Sequence, residues 1–396
     1  MDILILANFC GDLSGSGNSR FLYLAEMLSK KHQVEIATSD FHHEAKAHHT
    51  RLPPARNYCL TLLHEKGYPK NVCFRRFASH REFGKNFAAY LARRKRPDVI
   101  YAAVPSLTAP LAAADYCRRN GVRFVIDVQD LWPEAFEMVF HVPVLSALAF
   151  APFRSIADRI YGAADAVCAV SQTYADRALS VNRKVKKGAC VFLGTRLEDF
   201  DRNAREHPVA DKPEGELWLG YCGTLGSSYD LTCVINALAL LRGRGTVPPR
   251  FIVMGDGPRR AEFEAYARKM HIDARFTGRL PYSEMCGLLC ACDMVVNPIA
   301  ARAAQSIINK HADYAASGLP VLSTQESAEY RDLVDGYRMG FNCGNGNAVD
   351  LADKLRRLLE EPGLRREMGR NARRCAEEQF DRKSSYGALE RAITGT

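Results

Sequence analysis

The sequence predicts an α/β protein of two doubly wound, Rossmann-like domains, and three observations carry that expectation. Its 396 residues exceed one ordinary domain of roughly 100–200 residues. Each half alternates short apolar strands with longer helical stretches, and a polar stretch near the middle separates the two series. Such alternation implies parallel sheets, because a parallel connection must cross over and its helix then covers a face.

The elements follow in order. Asp2 to Asn8 is an apolar strand, leading into the loop Gly11-Asp12-Leu13-Ser14-Gly15-Ser16-Gly17-Asn18. Phe21, Leu24, Ala25 and Leu28 then recur at helical spacing. Strands are expected at Val34–Thr38, Asp98–Ala102 and Arg123–Asp127, with helices at Phe87–Arg94 and Ala109–Arg119. From Thr195 to Glu216 apolar periodicity is lost and Pro208, Pro213 and Gly215 punctuate the chain, as in an interdomain linker. The second series has strands at Leu217–Cys222, Arg250–Met254, Ala274–Thr277, Met294–Asn297 and Pro320–Ser323, and helices at Leu231–Leu241 and Arg259–Met270. Expected boundaries are 1–200, 214–371 and a closing helical segment at 372–396. Two facing sheets of this kind form a cleft where their carboxyl ends converge, and ligands bind such sheets there.

A hydrophobic content of 47% with 25% charged residues excludes disordered and fibrous classes. Met1 to Cys10 is apolar without a basic flank before it, which reads as a strand, not a signal peptide. The apolar stretch Val142–Phe153 contains Pro143 and Pro152 and is far shorter than the roughly 20 residues of a spanning helix. A cytoplasmic protein is expected, with its 13 cysteines as reduced thiols. Cys286, Cys290 and Cys292 read as core residues, without a His partner at zinc spacing. No Asp-x-Asp pair stands in a suitable loop, so neither a metal nor a cofactor is expected. The net charge of +9 is concentrated in the first half, at Arg75–Arg76, Arg93–Arg96, Arg118–Arg119 and Arg183–Lys187. Such a surface suits an anionic partner, nucleic acid or an acidic membrane face, and solvated helix ends explain it equally.

Two segments carry chemistry. The strand Phe251–Met254 runs into Gly255-Asp256-Gly257-Pro258, a tight turn whose glycines let a backbone approach a phosphate or sugar. The third glycine of a dinucleotide fingerprint is missing, and a plain strand-to-helix connection fits as well. In the segment from Ser306 and Ile307 to Val321, Ser306, Lys310 and Asp313 fall near one helix face, where cation and carboxylate can converge on a diphosphate and a ribose diol. An exposed Lys–Asp helix pair gives the same pattern.

That segment, with Phe276-Thr277-Gly278-Arg279-Leu280-Pro281 and Ala291-Cys292-Asp293-Met294-Val295-Val296-Asn297-Pro298, resembles the donor half of family 4 glycosyltransferases. Asp127-Val128-Gln129-Asp130-Leu131-Trp132-Pro133-Glu134 and Leu193-Gly194-Thr195-Arg196-Leu197-Glu198-Asp199-Phe200 extend the resemblance over nearly the whole chain. It implies the GT-B fold, with a deep interdomain cleft and a last helix, Ala372–Ile393, crossing back to the first domain. It implies a retaining, metal-independent transfer from a nucleotide sugar, a UDP-sugar, to a saccharide or polyprenyl-diphosphate-linked acceptor in bacterial surface polysaccharide assembly. The transferred group would be a hexosyl or N-acetylhexosaminyl unit, with the enzyme peripheral at the inner face of an acidic membrane and no nucleic acid as partner.

By this resemblance Gly15, Ser16 and Gly17 approach the donor diphosphate or the acceptor from the first domain. Gly223, Thr224 and Leu225 form the matching loop of the second, Arg279 and Leu280 face the base, Asp313 takes the ribose hydroxyls and Lys310 neutralises the departing diphosphate. Gln129, Asp130 and Glu134 are the candidates beside sugar and acceptor, although Asp130 equally fits a turn-fixing role and Trp132 either a sugar platform or a packed ring. The chain also departs from the family pattern. Gln305 stands where many relatives carry a first glutamate, Gln129 where many carry a histidine, and Thr224 and Asp230 lie near the places of a usual basic pair. A nucleotide-sugar epimerase or hydrolase of similar fold, and a binding-only protein, fit the same turn and cleft.

Overall fold

The computed structural model describes the chain apart from residues 12, 14–18, 50–55, 72, 135–142 and 302–306, and gives backbone alone over 143–149. Two compact units are present: Met1–Phe192 together with Ser385–Thr396, and Leu193–Ser384.

Unit 1 is a parallel sheet of β1 (Asp2–Ala7), β2 (Gln33–Ser39), β5 (Cys59–Leu63), β6 (Val99–Val104), β7 (Arg123–Val128), β8 (Ala166–Ala169) and β9 (Ala189–Cys190), ordered β5-β2-β1-β6-β7-β8-β9. A two-stranded ribbon, β3 (Phe41–His42) with β4 (Ala47–His48), is set into the connection from β2 to β5. Side chains alternate between the sheet's faces. Leu4, Leu6, Ile100, Ala102, Ile126 and Val128 join one core, with Phe83, Phe87, Ala113 and Ile160 from its covering helices. Ile3, Ile5, Val99, Tyr101 and Val125 join the other, with Leu24 and Leu28 of helix Arg20–Leu28 and Leu389 and Ile393 of helix Gly387–Thr394. The continuous apolar runs of these strands follow from burial on both faces.

A buried charge ties the second layer to the sheet. Arg20 pairs bidentately with Asp127, at 2.9 and 3.0 Å, and donates to the carbonyls of Val191 and Phe192 and to the Tyr386 hydroxyl. Both ionic side chains are almost fully buried.

Unit 2 is a parallel sheet of β10 (Trp218–Cys222), β11 (Arg250–Met254), β12 (Ala274–Gly278), β13 (Met294–Asn297), β14 (Val321–Ser323) and β15 (Gly340–Asn342), ordered β12-β11-β10-β13-β14-β15. Leu219, Tyr221, Phe251, Val253 and Val296 pack against Val234, Leu238, Phe263 and Leu355 of its helices. On the opposite face Gly220 leaves the room that the Cys292 thiol occupies, since a Cβ there would stand 3.0 Å from its sulfur. Cys286 and Cys292 are buried in this layer, whereas Cys290, at the end of helix Tyr282–Cys290, is exposed and not the core residue expected; all 13 cysteines are free thiols.

Two sequence expectations are corrected. The stretch read as a bare linker carries the helix Leu197–Glu206, which buries Leu197 and Phe200 under an otherwise polar surface, so its two apolar positions were too few to show periodicity. The single closing helix 372–393 is instead a series: helix Pro362–Cys375, a π-helical turn Ala376–Phe380, and helices Arg382–Ser385 and Gly387–Thr394. No described helix is long and apolar enough to cross a membrane.

Candidate functional site

In the second sheet, connections from β10 lead to β11 and β12 on one side, while β13 lies on the other. Where the winding direction changes, the loops at the carboxyl ends part and leave a crevice. Gly223-Thr224-Leu225 follows β10, Gly255-Asp256-Gly257 follows β11, and Gly278-Arg279-Leu280 closes β12.

These loops are held by backbone. Gly223 N–H donates to Met254 O at 2.8 Å, Gly255 N–H to Gly278 O at 2.9 Å, Leu225 N–H to Asp256 O at 2.9 Å, and Arg259 N–H to Leu225 O at 3.0 Å. Glycine is required by contact as much as by conformation. A Cβ on Gly255 would stand 1.8 Å from the Gly223 carbonyl oxygen, and one on Gly257 would stand 2.4 Å from that of Leu225. Gly255 and Gly223 also hold φ of 146° and 145°, which L side chains rarely adopt. The Gly255 turn thus approaches protein backbone closely. Thr224, Asp256 and Arg279 are exposed beside it, whereas Leu225 is buried.

Across the change of direction stands the helix Asn309–Ala316, and the room left by Gly223 receives Lys310. Its ammonium donates to the Tyr221 hydroxyl at 3.2 Å and lies 3.4 Å from the centroid of the Tyr229 ring. The Tyr221 hydroxyl in turn donates to Thr224 O at 2.8 Å. Among the described residues no carboxylate pairs with Lys310, and burial pulls its ammonium down to about 7. A half-buried cation, held by ring faces and a hydroxyl and lacking a counter-anion, is a ready partner for one.

One helical turn further on, Asp313 accepts from the Tyr282 hydroxyl at 2.8 Å, and that hydroxyl is 2.9 Å from the Thr195 hydroxyl. Burial lifts the carboxyl to about 6, opposed by these hydroxyls and by Arg382. The exposed Lys–Asp pair offered by the residue pattern is therefore overturned: both side chains are half-buried and have different partners. Ile307 is buried nearby, while Ser306 and Gln305 lie outside the described residues. Beneath the helix, His311 stacks on Tyr330 at 3.4 Å and approaches Asn297.

Sequence reasoning missed Tyr221, Tyr229, Tyr282 and Thr195. The one signal for Tyr221 was its place two residues before Gly223; Thr195 and Tyr282, 87 residues apart, had none.

In unit 1, Gly15, Ser16 and Gly17 lie outside the described residues. Gln129, Asp130 and Glu134 follow β7, and each has an intramolecular partner. Gln129 donates to Asp127 at 2.8 Å, Asp130 accepts from Leu131 N–H at 2.9 Å and from the Trp132 indole at 3.2 Å, and Glu134 accepts from Arg177 at 2.6 Å. Trp132 is a packed ring, only 5% exposed. Burial raises the Asp130 carboxyl above the usual range. Elsewhere in the unit, one oxygen of Asp40 and one ring nitrogen each of His48 and His64 gather within 4.8 Å, a grouping not foreseen from the sequence.

Two parallel-sheet domains with glycine-built loops at a change of winding, and a half-buried lysine beside them, define a doubly wound α/β class that comparison makes specific. The family described as "Glycosyl transferase 4-like domain" matches residues 15–192, and that described as "Glycosyl transferases group 1" matches residues 216–361. The chain belongs to this glycosyltransferase family and has the GT-B fold of two Rossmann-like domains. No curated protein sequence matches it significantly. Among solved structures it resembles Anabaena HepE in complex with UDP-glucose, at 16% identity and TM-score 0.67, covering 100% of this chain and 99% of that one. The sucrose-phosphate synthase of Thermosynechococcus elongatus aligns at 17% identity and TM-score 0.73, with both chains covered completely. WaaG, a glycosyltransferase involved in lipopolysaccharide biosynthesis, aligns at 16% identity and TM-score 0.69, again over all of both chains.

Proposed function

We propose that this chain is a retaining, metal-independent glycosyltransferase. It moves a hexosyl or N-acetylhexosaminyl group from a UDP-sugar to a saccharide or polyprenyl-diphosphate-linked acceptor in bacterial polysaccharide assembly. The observation that carries this reading is Lys310, desolvated against Tyr221 and Tyr229 at the winding change of the second sheet, with no carboxylate partner among the described residues. In a retaining transfer the acceptor hydroxyl arrives on the face the diphosphate leaves, so stabilising charge on that leaving group is the main task. Lys310 supplies the charge, with Arg279 in support. Asp313 and Ser306 take ribose and phosphate oxygens, and Arg279 and Leu280 flank the base. Gln129, Asp130 and Glu134 act as positioning residues that hold the loop after β7. The basic surface of unit 1 suits attachment to the cytoplasmic face of an acidic membrane. The solved HepE complexes with UDP, UDP-glucose and glucose support the choice of donor.

Lys310→Ala tests this. Losing one preorganised charge contact in a transfer reaction lowers turnover by about 10²–10³-fold. Turnover within threefold of wild type, at saturating UDP-sugar and with melting temperature unchanged, would remove Lys310 from the reaction.

A further inference from the structure

Unit 1 holds a collection of basic side chains that the reading above does not use. Arg76 and His80 lie one turn apart on helix Phe74–Arg93, His43 and Lys46 lie in the turn between β3 and β4, and Phe9 lies just past the end of β1. The Arg76 guanidinium stands 4.5 Å over the Trp132 ring and 5.6 Å from both Phe9 and Tyr68. One of its terminal nitrogens donates to Asn71 O at 2.9 Å, and its Nε is buried without a partner. Lys46 donates to the His43 carbonyl and to Asn71 Oδ1, and lies 4.8 Å over the Tyr68 ring. A close hydrogen bond joins His43 Nδ1 to the Tyr68 hydroxyl. His80 is 3% exposed, its Nε2 has no hydrogen-bond partner among the described residues, and its ring meets Phe9, Tyr68 and Trp132.

The nearby carboxylates act on this charge only at longer range, Asp130 on Arg76 and Glu44 on Lys46. Asp130 is engaged with Leu131 and Trp132, and Glu65 with Asn8, Ser39 and Ser79. Among the described residues neither Arg76 nor Lys46 forms an ion pair. Burial lowers the ordinary values of all four; neighbouring basic groups lower Lys46, His43 and His80 further, whereas Tyr68 and Asp130 oppose the shift of Arg76. The cluster also occupies the right place. β1 leads to β2 on one side and β6 lies on the other, so the end of β1, where Phe9 stands, is the winding change of the first sheet.

We propose that Arg76, Lys46, His43 and His80 form a subsite for a phosphoryl group carried by the acceptor. Several donors from three segments suit a tetrahedral oxyanion with three or four acceptor oxygens better than a planar carboxylate. At the rim Phe74 is 94% exposed, beside exposed Lys70 and Arg75, an arrangement that suits a phosphoryl group presented at a lipid surface. The subsite rests on the glycosyltransferase reading only for the name acceptor, since binding of phosphate can be measured without donor or turnover.

The test uses the full chain, with the ring signals of His43 and His80 assigned by substitution and followed by NMR. Methyl phosphate is titrated in one arm, and vesicles of phosphatidylglycerol in phosphatidylcholine in the other. Saturable shifts of both rings are expected, weakened at least tenfold by Arg76→Gln and severalfold by Lys46→Gln, and retained in Lys310→Ala. A vesicle response in wild type that is lost in Phe74→Ser assigns the phosphoryl group to a lipid, and saturable methyl phosphate shifts in wild type with no vesicle response assign it to a soluble acceptor. Absent shifts, or shifts unchanged in both Arg76→Gln and Lys46→Gln, overturn the subsite. A Lys310→Ala enzyme with full turnover beside intact shifts would instead overturn the donor reading alone.

Discussion

The two sheets change winding direction in the same way, yet their carboxyl edges are built from different materials. In unit 2 the edge is backbone: glycines at 223, 255 and 257 let loops lie against each other through amide and carbonyl groups, and one lysine fills the room they leave. In unit 1 the corresponding edge is side chains: Arg20 with Asp127 and Gln129, Glu65 with Asn8, Ser39 and Ser79, and Asp130 with Trp132. A backbone-built edge is set by where no side chain is allowed. A side-chain-built edge is set by which polar groups meet, and it can be altered group by group.

The largest effect that separates the two belongs to Asp127. Removing it leaves the Arg20 guanidinium buried and uncompensated, which costs about 3–5 kcal/mol. The chain has two tryptophans, Trp132 in unit 1 and Trp218 in unit 2, so each unit has its own reporter. Asp127→Ala in a Trp218→Phe background is expected to lower the unfolding free energy, taken from urea titration of Trp132 fluorescence, by that amount. A loss below 1 kcal/mol would mean the pair contributes little to the edge.

Next comes Gly255→Ala, which forces an L side chain to positive φ and drives its Cβ into the Gly223 carbonyl. Strain and overpacking together cost about 2–4 kcal/mol. The loss is expected in the Trp218 signal of a Trp132→Phe chain. An unchanged midpoint would show that the loops can part, and that the second edge is less rigid than its bonds imply.

These materials also explain how much was legible beforehand. Strands such as Met294–Asn297 and Arg250–Met254 stood where their apolar runs placed them, because burial on both faces leaves a continuous signal. The turn at Gly255 was visible since glycine after a strand is a local mark, though its neighbour proved to be protein backbone. The first edge was not visible: Arg20 and Asp127 are 107 residues apart, and nothing in either neighbourhood predicts a buried pair. Lys310 and Asp313 were found as residues, but their burial depends on Tyr221, Tyr229 and Tyr282, which arrive from other elements.

Lys310 offers a smaller effect with a definite sign. Burial lowers its ammonium from the usual 10.5 to about 7, so the folded chain favours the neutral amine. Its contribution to stability is present above the unfolded value and is lost as pH falls toward 7. Wild type is therefore expected to gain stability relative to Lys310→Met between pH 7 and 10, with no difference in slope below pH 6. UDP affinity, measured by calorimetry, should fall as pH rises above 7 in wild type and lose that dependence in Lys310→Met. Parallel curves would show that the lysine is solvated and that its place against Tyr229 is not held in solution.

The smallest effect decides what Asp130 does. As a turn-fixing group it needs only to accept from the Leu131 amide and the Trp132 indole. An asparagine oxygen can accept one of these bonds, so Asp130→Asn is expected to cost about 1 kcal/mol in the Trp132 signal. Burial already raises the carboxyl, favouring its neutral form, so the neutral amide also removes a stability loss that wild type suffers as pH rises through the acid range. Turnover should stay within a few fold, because the loop after β7 keeps its shape. A fall of two or more orders of magnitude with the fold intact would place the carboxylate on the reacting sugar. The edge of unit 1 would then carry chemistry in its side chains as well as shape, and the contrast between the two sheets would become a division of catalytic labour.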